Sequence, residues 1–327
     1  MLILTKSDLV RLLPVADCVD VMARAMAQTS ARKVVLPLRQ FMAVPDTKGK
    51  LGLMPGYIAE PARFGLKIVS KYERPPGSAH GTHVGMVVLF DAAEGLPLAL
   101  LEGGTLTAIR TAAASALATR TLARPESSTL AVLGCGEEAH HHIPAMLAVR
   151  PISRVVVWGR NAARAKAFVD HLELPAGVNA AVAPTVKDAL TGADVVCTVT
   201  SAATPFVEGA WLAPGQHLNL VGSAIPTTAE VDTATVARTK FYVDYREAAL
   251  AQAGELLAAI RAGAVRESHI AGEIGEVLLG TRPGRTSAAE ITCYKSLGIS
   301  AQDLAAAEFV YARARAAGAG VNVDLSA

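Results

Sequence analysis

The sequence predicts an α/β protein whose second half contains a doubly wound parallel sheet. Between residues 130 and 244, short apolar runs typical of buried strands alternate with helical segments, the pattern of parallel strands joined by crossover helices. Between residues 34 and 102, five strand-like runs follow one another without regular helices. This earlier part therefore indicates a mostly antiparallel sheet in a separate α+β domain.

The elements of the first part are bounded by caps and turn formers. Ser7 or Asp8 can cap a helix over residues 7–30, and Pro125 ends an alanine-rich helix that begins at Thr105. The strand-like runs are 34–44, 50–57, 64–72, 84–90 and 96–102.

The alternating part begins with a strand at 130–133 and a helix that ends near residue 149. Further strands are predicted at 154–158, 178–182, 194–200, 217–221 and 241–244, with helices at 161–172, 186–190, 246–262 and 301–317. The last of these helices could pack back on the first domain.

The composition is that of a compact globular protein and excludes several classes of partner. With 327 residues the chain is long enough for two domains, and 51% hydrophobic against 18% charged residues argues against disorder. The formal net charge of +2 gives no reason to expect nucleic acid or an anionic membrane as a partner. The first residues lack the features of a signal peptide and no apolar run reaches about 18 residues, so a cytoplasmic protein is expected.

No metal site is expected from the cysteines or histidines. Cys18, Cys135, Cys197 and Cys293 are scattered without CxxC spacing, which indicates neither zinc nor a disulfide framework, and reduced thiols are expected. Consecutive helix residues point in different directions, so the three histidines at 140–142 cannot share one ion.

A glycine-rich turn follows the strand at 130–133 directly. It reads Gly134-Cys135-Gly136-Glu137-Glu138-Ala139, which is G-x-G-x-x-A between a predicted strand and a predicted helix. The first glycine suits the tight turn, the second lets backbone approach a pyrophosphate, and the small third residue keeps the helix close to the sheet. The residues Gly134, Gly136, Glu137, Glu138 and Ala139 are therefore predicted to bind a dinucleotide at the helix N-terminus, in a Rossmann domain. A glycine-rich turn without a ligand is the alternative.

The end of the second strand of this domain bears on the choice of cofactor. An NAD-specific site places an Asp or Glu there to bind the ribose 2′-OH, but this chain reads Gly159-Arg160-Asn161, with Arg164 one turn further on. Two guanidiniums suit a 2′-phosphate, so Arg160, Asn161 and Arg164 predict NADP(H) in preference to NAD(H). Solvated arginines at a helix start are the alternative.

Three cations in the first part are candidates for binding an anion. Arg39 and Lys67 lie in predicted strands among apolar neighbours, and Arg110 lies early in the alanine-rich helix. Together they could hold one carboxylate, the group by which an amino or imino acid is bound, although each alone is more often a surface residue. His80 and His83 could exchange a proton near neutral pH or could be loop residues without a function.

These features together resemble the ornithine cyclodeaminase/mu-crystallin family over nearly the whole chain. The resemblance rests on Gly65-Leu66-Lys67, Thr82-His83 before VVLFD, LTAIRTAA at 106–113, the Gly134 fingerprint, and Asn219-Leu220-Val221-Gly222-Ser223. It implies a Rossmann domain inserted into an α+β dimerisation and substrate domain. The corresponding limits here are residues 1–125 with 301–327 for the substrate domain and residues 126–300 for the NADP-binding domain.

The resemblance also implies roles for individual residues. Arg39, Lys67 and Arg110 would hold the substrate carboxylate beside the nicotinamide. Thr200 and Ser201 would line the nicotinamide end of the cofactor cleft, and Gly222 and Ser223 would also bind the cofactor.

One departure from the family pattern affects the expected reaction. Cyclodeaminases carry a catalytic Asp two residues after the glycine that matches Gly222, and this chain has Ala224 there. Alanine can neither accept a proton nor orient an amine, which argues against deamination and cyclisation. The ketimine reductases of the family also lack that Asp and carry an Arg after the second strand.

The sequence therefore leads to a hypothesis with two alternatives. The hypothesis is an NAD(P)H-dependent reductase of α-imino acids such as Δ1-pyrroline-2-carboxylate or Δ1-piperideine-2-carboxylate, in which Lys67, with His83 behind it, handles the proton. A homodimer and a small imino or amino acid ligand are expected. The alternatives are an ornithine cyclodeaminase or amino-acid dehydrogenase, and a mu-crystallin-like binding protein with little turnover.

Overall fold

The computed structural model describes residues 1–72, 81 and 83–325, without the side chain of His83. Contacts divide the chain into two compact units. The first unit comprises Met1–Thr111 together with Ile299–Ala327, and the second comprises Ala112–Gly298. The limits predicted from the sequence, 1–125 with 301–327 and 126–300, remain a prediction about the division of function between domains.

The first unit is built on a mixed sheet of eight strands among the described residues. Its order is β16-β1-β7-β6-β5-β4-β2, with β3 paired to β4. The strands are β1 (Leu2–Leu4), β2 (Val34–Val35), β3 (Gln40–Ala43), β4 (Lys50–Ala59), β5 (Ala62–Lys71), β6 (His83–Asp91), β7 (Pro97–Glu102) and β16 (Val321–Asn322). The long central strands β4 to β7 are antiparallel, as predicted, and β1 pairs parallel with β7 and antiparallel with β16 at the edge.

Helices cover one face of this sheet. They are α1 (Lys6–Leu12), α2 (Val15–Ser30), the first turns of α3 (Gly103–Leu122) and α11 (Ser300–Ala317). The last helix lies directly on strand backbone, because a Cβ on Gly56 would come within 2.4 Å of Ser300 Oγ and one on Gly65 within 2.8 Å of Leu304 Cδ2. This close approach brings the start of α11 against the middle of β5.

The second unit is a doubly wound sheet of eight parallel strands among the residues described. Its order is β10-β9-β8-β11-β12-β15-β13-β14. The strands are β8 (Thr129–Leu133), β9 (Arg154–Trp158), β10 (Asn179–Val182), β11 (Val195–Thr198), β12 (His217–Leu220), β13 (Lys240–Val243), β14 (Ile270–Glu273) and β15 (Thr292–Lys295). The helices are α4 (Glu137–Leu147), α5 (Ala162–Asp170), α6 (Val186–Leu190), α7 (Thr233–Arg238), α8 (Arg246–Gln252), α9 (Gly254–Arg261) and α10 (Ile274–Leu278). The predicted fold class is confirmed.

Several predicted elements are wrong in detail. The helix over 7–30 is two helices, because Pro14 has no N–H to continue the first one and instead precedes the second. The helix over 246–262 is also two, with a break before Gly254, where a Cβ would lie 1.9 Å from the Thr228 carbonyl oxygen. The strand over 34–44 forms only the short β2 and β3. No strand was predicted at Thr292–Lys295, although β15 lies inside the sheet between β12 and β13.

No helix among the described residues is long and apolar enough to cross a bilayer.

Candidate active site

In the first unit, two buried cations share one carboxylate. Lys67 on β5 and Arg110 on α3 are each 4% exposed, and Asp303 on α11 is 1% exposed. Asp303 Oδ1 lies 3.2 Å from Lys67 Nζ and 2.9 Å from Arg110 Nε. One negative charge against two positive charges leaves this group with an excess of positive charge, so it can accept the carboxylate of a ligand.

Burial is the main influence on the pKa of Lys67 in this group. Burial lowers the pKa of Lys67 to about 8, an effect opposed by Asp303 and reinforced by Arg110 and Arg39. Lys67 can therefore lose or gain a proton near physiological pH. Arg39 and Arg110, the other two cations predicted from the sequence, thus both lie within electrostatic range of Lys67. Arg39 itself precedes β3 rather than lying in a strand.

Sequence reasoning missed Asp303. Its helix is rich in buried alanine, and Gln302 and Asp303 are polar residues at positions that the helix buries. Gln302 Oε1 accepts a hydrogen bond of 2.8 Å from Arg110 Nη1, so both polar residues serve the same guanidinium. A charged residue on the apolar face of a helix was the signal that could have identified this position.

His80 and His83 are the histidines that the sequence associates with this group. His80 lies outside the described residues. The backbone of His83 begins β6, but its side chain is outside the description as well. The roles suggested for them remain predictions.

In the second unit, the two fingerprint glycines have different surroundings. Gly134 has φ +131°, and a Cβ there would lie 2.7 Å from the Val199 carbonyl oxygen, so the turn requires glycine. Gly136 precedes α4 as its N-cap and has open space where a Cβ would stand. Ala139 is fully buried in the first turn of α4. Space beside a glycine at a helix N-terminus fits the pyrophosphate of a dinucleotide.

The first turn of α4 is acidic and leads into the three histidines. Glu137 and Glu138 follow Gly136, and the Glu138 carbonyl oxygen is 2.7 Å from His142 Nδ1. His142 is buried, which lowers its pKa to about 4, and its Nε2 bonds to Ser115. His140 instead lies against the ring of Phe168. Across the described parts of the chain, no three His, Cys, Asp or Glu side chains gather as metal ligands, and the four cysteines are free thiols.

After β9 the chain exposes two arginines. Arg160 and Arg164 are both exposed, and the hydrogen bonds and ion pairs among the described residues include neither side chain. Asn161 caps α5 by accepting a 3.0 Å hydrogen bond from the backbone N–H of Arg164. The Asn161 side chain is therefore used in starting the helix, and the two guanidiniums are the groups that could bind a phosphate.

The remaining residues predicted to bind the cofactor follow β11 and β12, which are neighbours in the sheet. The backbone N–H groups of Thr200 and Gly222 both donate to the buried carboxylate of Glu230, each at 2.7 Å. Ser201 is exposed, and Ser223 Oγ donates to the Thr228 carbonyl oxygen in its own loop. Sequence reasoning missed Glu230, which lies eight residues beyond Gly222 in a loop without a recognisable motif.

The sheet order of the second unit and the open helix N-terminus at Gly136 define a nucleotide-binding protein of the Rossmann type. The family model described as the ornithine cyclodeaminase/mu-crystallin family matches residues 1–318. The chain belongs to this family.

Two relatives with assigned reactions match most or all of this chain. The Δ1-pyrroline-2-carboxylate reductase of Bacillus cereus is 33% identical over 325 residues, covering 99% of this chain and 100% of the relative. The ketimine reductase mu-crystallin of Mus musculus is 37% identical over 278 residues, covering 85% of each chain.

Solved structures share the fold over the full length. The Δ1-pyrroline-2-carboxylate reductase of Thermococcus litoralis in complex with NADH and L-proline superposes with a TM-score of 0.95 at 32% identity, covering 99% of this chain and 100% of that one. An archaeal alanine dehydrogenase dimer with bound NAD superposes with a TM-score of 0.92 at 30% identity and covers 99% of both chains.

Proposed function

We propose that the protein is an NADPH-dependent reductase of α-imino acids, of the Δ1-pyrroline-2-carboxylate or Δ1-piperideine-2-carboxylate type. The observation that carries the proposal is the buried group of Lys67, Arg110 and Asp303, which combines excess positive charge with an ammonium of pKa about 8. The similarity to pyrroline-carboxylate and ketimine reductases supports the same reaction.

In this proposal the first unit binds the substrate by its carboxylate. Arg110 offers the planar pair of N–H donors that suits a carboxylate, and Lys67 and Arg39 add charge. Asp303 and Gln302 hold the Arg110 guanidinium in place. A carboxylate at this group would raise the proton affinity of Lys67, so that its ammonium is available to the imine nitrogen.

The balance of the reaction needs one hydride and one proton. A bound nicotinamide dinucleotide supplies the hydride to the imine carbon. Lys67 Nζ supplies the proton when the imine is neutral, and the carbon–nitrogen double bond becomes an amine. The remaining contribution of the protein is orientation and complementary charge.

The preference for NADPH rests on Arg160 and Arg164. Both guanidiniums lie after β9, where an NAD-specific site would place a carboxylate on the ribose, and both are exposed to an incoming phosphate. Related structures contain NADH or NAD, which shows the class of cofactor for those proteins. Binding of the 2′-phosphate of NADPH is the additional property that we propose for this chain.

The first unit also suits a homodimer. The sheet face opposite α11 exposes apolar side chains of β3, β5 and β6: Met42, Phe64, Val84 and Met86. Apolar side chains concentrated on one sheet face are typical of an interface. Residues 1–125 with 301–327 would then serve substrate binding and dimerisation, and residues 126–300 would bind the cofactor.

The test is NADPH oxidation with Δ1-pyrroline-2-carboxylate and Δ1-piperideine-2-carboxylate, with Δ1-pyrroline as a matched substrate that lacks the carboxylate. We expect turnover of at least one carboxylate substrate, and a kcat/KM for Δ1-pyrroline lower by about 100-fold, the value of a charged hydrogen-bonded contact. Ammonia release from ornithine without imine reduction would establish a cyclodeaminase instead. Tight NADPH binding with no turnover of any imine would establish a binding protein.

A further inference from the structure

The carboxylate of Glu230 is fully buried and accepts four hydrogen bonds. Oε1 accepts from the backbone N–H and the hydroxyl of Thr200, and Oε2 accepts from the hydroxyl of Thr198 and the backbone N–H of Gly222. All four distances are 2.7 Å. A buried carboxylate with two hydrogen bonds to each oxygen is held in one orientation.

These donors lie at the carboxyl edge of the parallel sheet. Thr198 is the last residue of β11, and Thr200 and Gly222 each lie two residues beyond the ends of β11 and β12. A Cβ on Gly222 would stand 1.9 Å from the Thr200 carbonyl oxygen and 2.5 Å from Glu230 Oε1, so the two strand ends are pressed together over the carboxylate. The fingerprint turn reaches the same edge, where Gly134 meets the Val199 carbonyl. Ligands of doubly wound sheets bind outside this edge.

A second buried ion pair adjoins Glu230 and does not neutralise it. Lys295 Nζ lies 3.1 Å from Glu255 Oε2 and donates to the Ser223 carbonyl oxygen. Glu255 Oε1 in turn accepts the backbone N–H of Glu230 at 3.3 Å. Within the described residues this network has two carboxylates and one ammonium, so one negative charge remains. All three charged side chains are buried.

Glu230 is suited to carry that charge. Burial raises the pKa of Glu230, and the hydroxyls of Thr198 and Thr200, the charge of Lys295 and the backbone of Thr200 offset only part of this effect. Two of its four donors are backbone N–H groups, one on each oxygen, which cannot act as acceptors. The geometry points to the ionised form, because an ionised carboxylate accepts from all four donors at once.

We propose that Glu230 is a positioning residue that holds the strand ends at Thr200 and Gly222 and places a buried negative charge behind the nicotinamide end of the cofactor site. The inference rests on the proposed nicotinamide cofactor and on its orientation with the nicotinamide at these strand ends. A nicotinamide is neutral when reduced and positively charged when oxidised, so a buried anion favours the oxidised form and the charge that develops as hydride leaves.

The experiment compares the dissociation constants of NADP⁺ and NADPH, measured by calorimetry on the full-length protein and on Glu230→Gln. The substitution keeps the size of the side chain and removes its charge. We expect the ratio of the NADP⁺ to the NADPH dissociation constant to rise on the order of tenfold, the scale of one charge screened across roughly 10 Å of protein. Glu173→Gln, which removes an exposed carboxylate from the same unit, should leave the ratio unchanged.

A second variant keeps the test decisive if Glu230→Gln does not fold. Glu255→Gln removes one charge from the same network, while its amide oxygen can still accept from Glu230 N and Lys295 Nζ, as Oε1 does now. The ratio should rise in this variant too, by a smaller factor. Equal weakening of both cofactors, or no change in the ratio, would overturn the electrostatic role. Failure of the unsubstituted protein to bind either dinucleotide would instead overturn the proposed function, and the inference with it.

Discussion

Lys67 and Asp303 are 236 positions apart in the chain, yet Lys67 Nζ lies 3.2 Å from Asp303 Oδ1 in a buried part of the first unit. The same oxygen accepts a hydrogen bond from Arg110 Nε. One carboxylate therefore orients both cations and offsets part of the electrostatic repulsion between them. Removing it would change the charge and the geometry of the proposed carboxylate site together, which makes the pair a sensitive point for experiments.

The first prediction concerns the pH dependence of turnover. Lys67 has a pKa of about 8, so it is protonated below that pH and neutral above it. Carboxylate binding and proton donation both need the protonated form. We expect kcat/KM for the imino acid to be level below pH 8 and to fall about tenfold per pH unit well above it. Lys67→Arg keeps the positive charge but cannot donate a proton in this range, so its turnover should fall and its residual activity should lack this descending limb; an unchanged limb would assign it to another group.

The second prediction concerns the partner of Lys67. Asp303 is the group that raises the pKa of Lys67 against the effect of burial. Asp303→Asn should therefore move the descending limb to lower pH, by about one unit or more. Glu308→Gln is the matched control, since Glu308 lies on the same helix but pairs with Arg63. A limb that stays in place in Asp303→Asn would show that the limb does not report Lys67.

The third prediction separates the two fingerprint glycines. Gly136→Ala places a methyl group in open space at an ordinary φ of −106°, so it should fold as stably as the unsubstituted protein and bind NADPH at least tenfold more weakly. Gly134→Ala meets the Val199 carbonyl oxygen at φ +131° and should lose about 1–3 kcal/mol of stability. Thermal unfolding and NADPH titration measure the two effects. Normal NADPH affinity in Gly136→Ala would argue against a pyrophosphate at this helix.

The fourth prediction concerns the choice between the two cofactors. If the Arg160 guanidinium binds the 2′-phosphate, Arg160→Ala should raise the KM for NADPH about tenfold and leave the KM for NADH nearly unchanged. Arg154→Ala is the control, because Arg154 is an exposed arginine at the other end of the same strand. If the KM values for NADPH and NADH rise equally, or if neither rises, Arg160 does not determine the preference for NADPH.

The local features of this fold were accessible to sequence analysis. The segment from β8 through Gly134 and Gly136 into α4 could be predicted because the strand, the turn and the helix start depend only on residues close together in the chain. The antiparallel run of β4 to β7 was predictable for the same reason. In contrast, Asp303 becomes meaningful only when α11 packs on Gly65, a contact between distant parts of the chain.

Sequence analysis also missed β15 and Glu230, and both cases involve a buried charge. The strand β15 contains Lys295, which looks like a surface residue until Glu255 and the Ser223 carbonyl are found around it. Glu230 likewise has no hydrophobic period or motif around it, and its four donors come from two other strand ends. In both cases the partner that makes burial tolerable lies far away in sequence, so composition and periodicity do not indicate it.

The most direct test of the central claim is to follow hydride into the product. NADPH carrying deuterium at the transferable C4 position is incubated with the protein and Δ1-pyrroline-2-carboxylate or Δ1-piperideine-2-carboxylate, and the cyclic amino acid is examined by mass spectrometry and NMR. Reduction of an α-imino acid predicts one deuterium on the α-carbon of the product. Product without deuterium at that carbon, or no product from either imine while ornithine releases ammonia, would contradict it.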